Sequence, residues 1–208
     1  MSRAYLDHSS TAPLRPAARA ALIDALDSLA ADPGRIHTEG RAARVALETA
    51  REQVAAFLGA RPREVVFTGS GTESVNAAAY GALARPGAGR HVVTTAVEHS
   101  AVTEAVARGA EEVTVVGVDR SGRIDPAEVV SAVRPDTALV SVQLANHEVG
   151  TVQPVADVVG LLGTDRPLLH VDACAAVGRI PVSFTELGVD LCSVTAHKWG
   201  CLLYTSPS

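Results

Sequence analysis

The chain has 208 residues, a length that suffices for one substantial domain with its own hydrophobic core. Apolar residues make up 47% and charged residues 20%, which is the composition of a globular protein and excludes a disordered or fibrous chain. The net charge of -5 and the lack of a Lys/Arg-rich block argue against a nucleic-acid partner.

The N-terminal residues and the cysteines indicate the cellular compartment. Residues 1–8 lack the apolar stretch of a signal peptide, and no uncharged apolar run is long enough to span a bilayer. The cysteines Cys174, Cys192 and Cys201 form no CxxC pair, and their small odd number fits a reducing compartment better than a disulfide framework. We therefore expect a soluble cytoplasmic protein without a membrane partner, and we predict no metal site.

The predicted elements begin after an irregular N-terminal segment, residues 1–15, with two helices over 16–29 and 41–58. Proline is allowed in the first turn of the first helix, and Gly59 stands where a left-handed residue usually ends a helix. Strands and helices then alternate. The predicted strands cover residues 64–68, 91–95, 112–118, 137–144, 168–172 and 189–194, and the helices cover 72–83, 100–108, 126–133 and 155–162.

The predicted strands are Val-rich continuous runs, which is typical of strands that are covered by helices on both faces. Their alternation with helices predicts an α/β fold with a mostly parallel sheet flanked by helices. Sheets of this kind bind ligands beyond the carboxyl ends of their strands. We therefore expect functional residues in the loops after Thr68, Thr95, Leu144, Val171 and Val194.

The first of these loops, residues 68–74, joins a strand to a helix through two glycines. Gly71 allows backbone N–H groups to approach an anion, and Thr72 adds a hydroxyl donor at a helix N-terminus that favours negative charge. A tight turn in which Thr72 caps the helix explains the loop about as well. A dinucleotide-binding loop is disfavoured, because Ser74 occupies the position of the third glycine.

Three further loops carry polar residues directly after apolar strands. His99 offers an imidazole face that could stack on a planar ring, although a surface or satisfied core histidine is by itself the better explanation. Asn146 offers an amide, although an ordinary turn also explains it. Asp172 ends a buried strand, and a buried carboxylate needs a partner. That partner is either a helix N-terminus, which Asp172 would cap, or a cationic ring nitrogen.

Lys198 follows the last predicted strand among small and hydroxylated residues. A surface lysine is the usual outcome, but a lysine just past a buried strand can lie in a partly desolvated pocket, which makes its amine nucleophilic. Each of these signals is weak by itself. Together they place at one edge of a sheet the groups that pyridoxal phosphate (PLP) requires: an anion-binding loop, a flat imidazole, an amide, a carboxylate and a lysine.

The chain resembles the cysteine desulfurase branch of the class V aminotransferases, PLP enzymes of fold type I, over residues 4–200. The resemblance is carried by seven motifs. They are YLD at 5–7, TGSGTE at 68–73, TTAVEH at 94–99, RPDTALVS at 134–141, ANHEVGTVQP at 145–154, HVDA at 170–173 and AHK at 196–198.

The resemblance implies a role for each matching residue. Lys198 is the lysine that holds the PLP aldehyde and moves protons, Asp172 pairs with the pyridine nitrogen, and His99 stacks on the ring and relays protons. Asn146 lies near the ring hydroxyl and the substrate carboxylate. The residues that hold the phosphate are Gly71, Thr72, Thr195 and His197.

The resemblance also implies a reaction and partners. L-cysteine is converted to L-alanine, and its sulfur passes as an enzyme persulfide to an iron–sulfur scaffold or another acceptor. The full-length enzymes are homodimers. Two alternatives stay open: another class V enzyme such as a selenocysteine lyase, and a non-catalytic truncated domain.

Three departures from the family pattern matter. Ala175 stands where the family has a glutamine that bonds the ring hydroxyl, and Asn146-His147 replaces the usual Asn-Asn. Residues 201–208 match nothing expected after the AHK motif. We therefore expect an incomplete large domain over 16–200, a non-native tail from a truncated reading frame, no C-terminal small domain and no desulfurase activity of the fragment itself.

Overall fold

The computed structural model describes residues 4–201. Five strands lie in that range: β1 His91–Thr95, β2 Glu112–Val116, β3 Thr137–Gln143, β4 Leu168–Asp172 and β5 Leu191–Ser193. The α-helices there are α1 Pro16–Ser28, α2 Thr38–Phe57, α3 Gly71–Leu83, α4 Ser100–Gly109, α5 Pro126–Ser131, α6 Val155–Leu162 and α7 Phe184–Leu187. Two 3₁₀ turns cover Pro62–Glu64 and His197–Trp199. None of these helices has the length and apolar character needed to cross a bilayer.

The described chain divides into two compact units. The first, called the helical unit, holds residues 4–67 together with Ser183–Glu186 and residues 196–201. The second, called the sheet unit, holds 68–182 and 187–195. The expected domain boundaries at residues 15 and 200 stay a prediction. The expected atypical tail lies outside the described residues beyond Cys201.

The helical unit is built around α2, which begins three residues earlier than the sequence indicates. The reason is a cap, because the Nδ1 atom of His37 accepts the N–H of Gly40 at 3.2 Å. The helix ends before Gly59, whose φ of 62° confirms the predicted left-handed residue. The carbonyl of Leu58 then accepts the N–H of Phe184 at 2.6 Å, which attaches α7 to the end of α2.

The sheet unit contains a parallel sheet with the strand order β2-β1-β3-β4-β5. The parallel α/β fold is therefore as predicted, although β2 and β5 are shorter than expected. Every residue of β1 and β3 is buried, which agrees with their continuous apolar runs. Small side chains let α3 and α4 pack closely on this sheet, with a core that includes Val75, Ala79, Val102, Ala105 and Leu139.

The predicted strand over 64–68 is wrong. Glu64 ends a 3₁₀ turn, and among the described residues no strand pairs with the segment that follows. Instead the carbonyl of Val65 accepts a hydrogen bond from the Arg51 guanidinium, which lies 5.0 Å from the centroid of the Phe67 ring. Residues of high β propensity such as Val and Phe form a strand only where a neighbouring strand provides hydrogen-bond partners for their backbone. Here a side chain provides such a partner instead.

Two buried histidines cross-link the sheet through hydroxyl groups. His91 on β1 contacts the hydroxyl of Thr137 on β3 and that of Thr114 on β2, both at 2.8 Å. His170 on β4 contacts Ser141 Oγ on β3 at 2.8 Å and Ser193 Oγ on β5 at 3.0 Å. Burial lowers the pKa of both imidazoles, and that of His170 falls to about 4.

We expect acid to destabilise the sheet unit through His170. The unfolded chain takes up the imidazole proton near pH 6.5 but the folded chain only near 4, so the free energy of unfolding falls as the pH drops between these values. The loss from His170 is about 3 kcal/mol. Other groups titrate in the same range, so this loss is measured as the difference between the wild type and a variant without the imidazole, in urea denaturation followed by circular dichroism at pH 7 and pH 4.

The variant His170→Asn provides the comparison, because it keeps a polar side chain that does not titrate. We expect it to be less stable than the wild type at pH 7, since the hydroxyl contact to Ser193 is lost, and to lose less stability on acidification. Equal losses in the two proteins would rule out His170 as the source of the acid sensitivity.

Candidate functional site

The helix α3 begins with a loop that its own side chains close. Ser70 Oγ accepts the N–H of Glu73 at 3.1 Å, and Glu73 Oε2 accepts the N–H of Gly69 at 2.6 Å. Ser70 is therefore the N-cap, and the alternative in which Thr72 caps the helix is wrong. With Glu73 N–H used by the cap, the first-turn N–H groups of Gly71 and Thr72 remain at the positive end of the helix dipole.

Gly71 is required by a close approach between segments of the sheet unit. A Cβ atom at this position would lie 3.0 Å from Cys174 Sγ and 3.4 Å from Thr195 Cβ. The start of α3 is thus packed against the residues that follow β4 and β5. The predicted phosphate residues Gly71 and Thr195 are therefore brought together. Their binding of a phosphate stays a prediction.

His99 begins α4 and is its N-cap. Its Nδ1 atom accepts the N–H of Ala101 at 3.0 Å, so the neutral ring carries its proton on Nε2. Its ring centroid lies 5.6 Å from that of His147 at an interplanar angle of 57°. The cap fixes the imidazole at the carboxyl end of β1, where the sequence predicts it; its stacking on a cofactor ring stays a prediction.

Asn146 organises the loop after β3. Its amide nitrogen donates to the carbonyl of Val97 at 3.1 Å and to Gln143 Oε1 at 3.0 Å. Its amide oxygen accepts the N–H groups of Glu148 at 2.8 Å and Val149 at 2.9 Å. These four bonds fill the hydrogen-bonding capacity of the amide and join this loop to the loop that carries His99. The predicted contact of Asn146 with the ring hydroxyl stays a prediction and requires one of these bonds to be exchanged.

Asp172 is the last residue of β4 and is only 5% exposed. Its Oδ1 atom accepts the N–H of Cys174 at 2.9 Å, which caps a turn rather than the helix that the sequence offered as an alternative. The β3–β4 register places Asp172 beside Gln143. A nearly buried carboxylate at the carboxyl edge of a parallel sheet suits a cationic group bound there.

His197 and Lys198 lie in the helical unit, in the 3₁₀ turn before Gly200. The N-terminal segment holds this turn in place, because the carbonyl of His197 accepts the N–H of Ala12 at 3.0 Å and that of Gly200 accepts the N–H of Arg15 at 2.8 Å. Burial and the neighbouring Lys198 lower the pKa of His197. Sequence reasoning missed this function of the N-terminal segment, since its contacts span up to 186 positions of the chain.

Sequence reasoning also missed that Glu98, Gln143 and Cys174 contact predicted site residues or their neighbours. Glu98 lies in the TTAVEH motif, directly before His99. Its carboxyl accepts hydrogen bonds from Thr95 and from the backbone of Gln143. An acid that closely follows an apolar strand and directly precedes a predicted functional histidine is the signal that would have found it.

The sequence profile of the aminotransferase class-V family matches residues 4–201, and the chain belongs to this family. The cysteine desulfurase IscS of Dictyoglomus turgidum is 41% identical over 199 residues, which are 94% of this chain and 50% of that protein. The chain spans about half the length of the curated relatives that it matches.

Solved structures show the same fold. A NifS-like protein superposes with a TM-score of 0.90 at 36% identity, over 96% of this chain and 56% of that chain. A structure of SspA in complex with cysteine gives a TM-score of 0.86 at 29% identity, over 94% of this chain and 58% of that chain. These neighbours confirm the PLP-transferase fold type I class, and enzymes of the class V and cysteine desulfurase families depend on PLP.

We expect Gly71→Ala to lower the free energy of unfolding by about 1–2 kcal/mol, because the new methyl group overlaps Cys174 Sγ. In the background Cys174→Ala, where the sulfur is absent, the same substitution should be close to neutral. Urea denaturation of the wild type, the two single variants and the double variant gives the coupling energy. Strictly additive changes in the free energy of unfolding would show that Cys174 Sγ does not restrict the side chain at position 71.

Proposed function

We propose that this chain is part of a PLP-dependent cysteine desulfurase, which converts L-cysteine to L-alanine and passes the sulfur as an enzyme persulfide to an iron–sulfur scaffold or another acceptor. The proposal is supported by the cysteine desulfurase relatives and by the cysteine complex of a structural neighbour. The observation that carries it is the nearly buried Asp172 carboxylate at the sheet edge that also holds the α3 N-terminus.

The residues of the sheet unit fit PLP. The α3 N-terminus, with no side chain at Gly71, is suited to the phosphate, and the Asp172 carboxylate is suited to the protonated pyridine nitrogen. His99 offers the face of a neutral imidazole. When bound, PLP supplies an electron sink for the carbanion of the amino-acid substrate. Asp172 then holds the proton on the ring nitrogen, and His99 Nε2–H is a donor for proton relay.

Lys198 is the proposed attachment point of the cofactor aldehyde and the proposed proton carrier. It is the only lysine among the 208 residues, so the chain offers one ε-amino group and the N-terminal amine. Its position in the AHK motif and the family membership support this role. His197 and Thr195 are the proposed further phosphate ligands, and Asn146 is proposed to act near the ring hydroxyl.

The proposed setting is the cytoplasm, with the whole enzyme as a homodimer. The three cysteines are free thiols, which supports a reducing compartment. Large apolar side chains of the helical unit are exposed, with Leu6 at 87% and Ile36 at 88%. Exposed apolar surface of this kind supports its burial by further protein in the complete enzyme.

We expect the 208-residue chain to bind PLP through Lys198. Titration with PLP should produce the visible absorbance of a C=N linkage, and reduction with borohydride should fix the cofactor on the tryptic peptide that contains Lys198. The variant Lys198→Ala should lose both signals. Labelling confined to the N-terminal amine, or equal labelling of the urea-unfolded chain, would contradict the proposal. We expect binding without production of alanine from this chain alone.

The variant Asp172→Asn tests the ring-nitrogen partner. Its side-chain oxygen can still accept the N–H of Cys174, so we expect the sheet unit to remain folded. The lost charge should weaken PLP binding by roughly tenfold and shift the absorbance of the bound cofactor, because a charge-assisted hydrogen bond contributes about 1.5 kcal/mol or more. Unchanged affinity and an unchanged spectrum would separate Asp172 from the cofactor.

A further inference from the structure

Glu98 lies in the loop between β1 and α4, directly before His99. One of its carboxyl oxygens, Oε1, accepts the hydroxyl of Thr95 and the N–H of Gln143, each at 2.7 Å. The other oxygen, Oε2, is inaccessible to solvent and has no hydrogen-bond partner among the residues that the structure describes. The side chain therefore joins the His99 loop to β3 through one oxygen and leaves the other oxygen dry.

The charged and titratable groups around Glu98 do not stabilise a negative charge there. Asp172 on β4 is the register partner of Gln143, and its charge acts on Glu98 by repulsion. His99 at the start of α4 contacts His147, whose Nε2 lies 3.2 Å from a carboxylate oxygen of Glu148 in the loop after β3. A second carboxylate therefore acts on Glu98, and the histidine that contacts the neighbouring His99 is already paired to an acid.

We propose that Glu98 is a positioning residue: a neutral carboxylic acid that anchors the His99 loop to β3 and leaves the negative charge of this sheet edge on Asp172. An ionised carboxylate would bury a charged oxygen without a donor, which costs far more than burying a hydroxyl group. Asp172 already has a backbone donor, because its Oδ1 accepts the N–H of Cys174. Glu98, unlike Asp172, has a carboxyl oxygen that is both inaccessible to solvent and without a donor, so it is the better place for the proton.

The electrostatic balance agrees with this assignment. Burial raises the pKa of Glu98 to about 8, against the opposing hydrogen bonds from Thr95 and Gln143, and the charge of Asp172 raises it further. A neutral Glu98 leaves the Asp172 carboxylate available for a cationic ring nitrogen, and this consequence rests on the proposed function. The proton on Glu98 does not, and it can be measured without PLP.

Protonation of Glu98 gives stability a specific pH dependence. The unfolded chain releases this proton near pH 4.3 and the folded chain only near 8, so stability falls as the pH rises between these values. Within that interval, each pH unit changes the unfolding equilibrium constant by up to roughly tenfold. The variant Glu98→Gln keeps an oxygen acceptor and has no proton to release, so it should lack this component.

The first test is urea denaturation of the PLP-free 208-residue chain at pH 5.5 and pH 7.5. We expect the unfolding equilibrium constant of the wild type to rise at least tenfold more over this interval than that of Glu98→Gln. Glu104→Gln on α4 is the matched control, because Glu104 is exposed and paired with Arg108, and it should behave as the wild type. An identical pH dependence in wild type and Glu98→Gln would overturn the proposal.

The second test needs no stable variant. The infrared spectrum of the folded wild type at pH 7 should contain the C=O stretch of a protonated carboxyl group, which fades as the pH passes about 8. In Glu98→Gln this band should be missing, and in Glu104→Gln it should persist. A folded wild-type chain without the band at pH 7 would refute a neutral Glu98, whether or not the chain binds PLP.

The anchoring role has its own readout in the backbone. We expect Glu98→Ala to speed hydrogen exchange at the Gln143 amide by at least tenfold, because its acceptor is gone, and Glu98→Gln to restore slow exchange. Equal exchange rates in the two variants would show that the side-chain oxygen does not hold this part of β3. Loss of PLP binding in Lys198→Ala has no bearing on any of these outcomes.

Discussion

The burial of a carboxylate at the end of β4 is the constraint around which the sheet unit is arranged. Asp172 is 5% exposed, and the backbone N–H of Cys174 is the hydrogen-bond donor seen on its side chain. A charge in such a position is costly unless a cation or further donors meet it. The neighbouring acid Glu98 is protonated in our proposal, so it adds no second negative charge. The site is therefore suited to a cationic ring.

Buried polar side chains elsewhere in the sheet are also uncharged. His91 at the start of β1 and His170 in the middle of β4 are neutral imidazoles, each between two hydroxyl groups of neighbouring strands. Ser74 on α3 extends the second set, since its hydroxyl lies 2.9 Å from that of Ser193. The N-terminus of the proposed phosphate helix is therefore tied to β4 and β5 by a fully satisfied polar network, which specifies its position more sharply than apolar packing alone.

Much of the secondary structure could be predicted from local patterns. The strand at 168–172 and the helix at 155–162 match their predicted bounds, because apolar runs bounded by turn residues mark both. The strand expected at 64–68 failed for a nonlocal reason, the lack of a partner strand for its backbone. The helix α2 begins three residues before its predicted start, because a histidine rather than Ser, Thr, Asp or Asn caps it.

The sequence by itself determined the family, the parallel α/β class and the positions along the chain of Gly71, His99 and Asp172, because these depend on motifs and on hydrophobic periods that are local. Only the tertiary structure decided which atoms meet. The strand order β2-β1-β3-β4-β5 brings β3 between β1 and β4, and this places the Glu98 carboxyl against Gln143 beside Asp172. Burial and hydrogen bonding between distant segments set protonation states, and no local pattern encodes them.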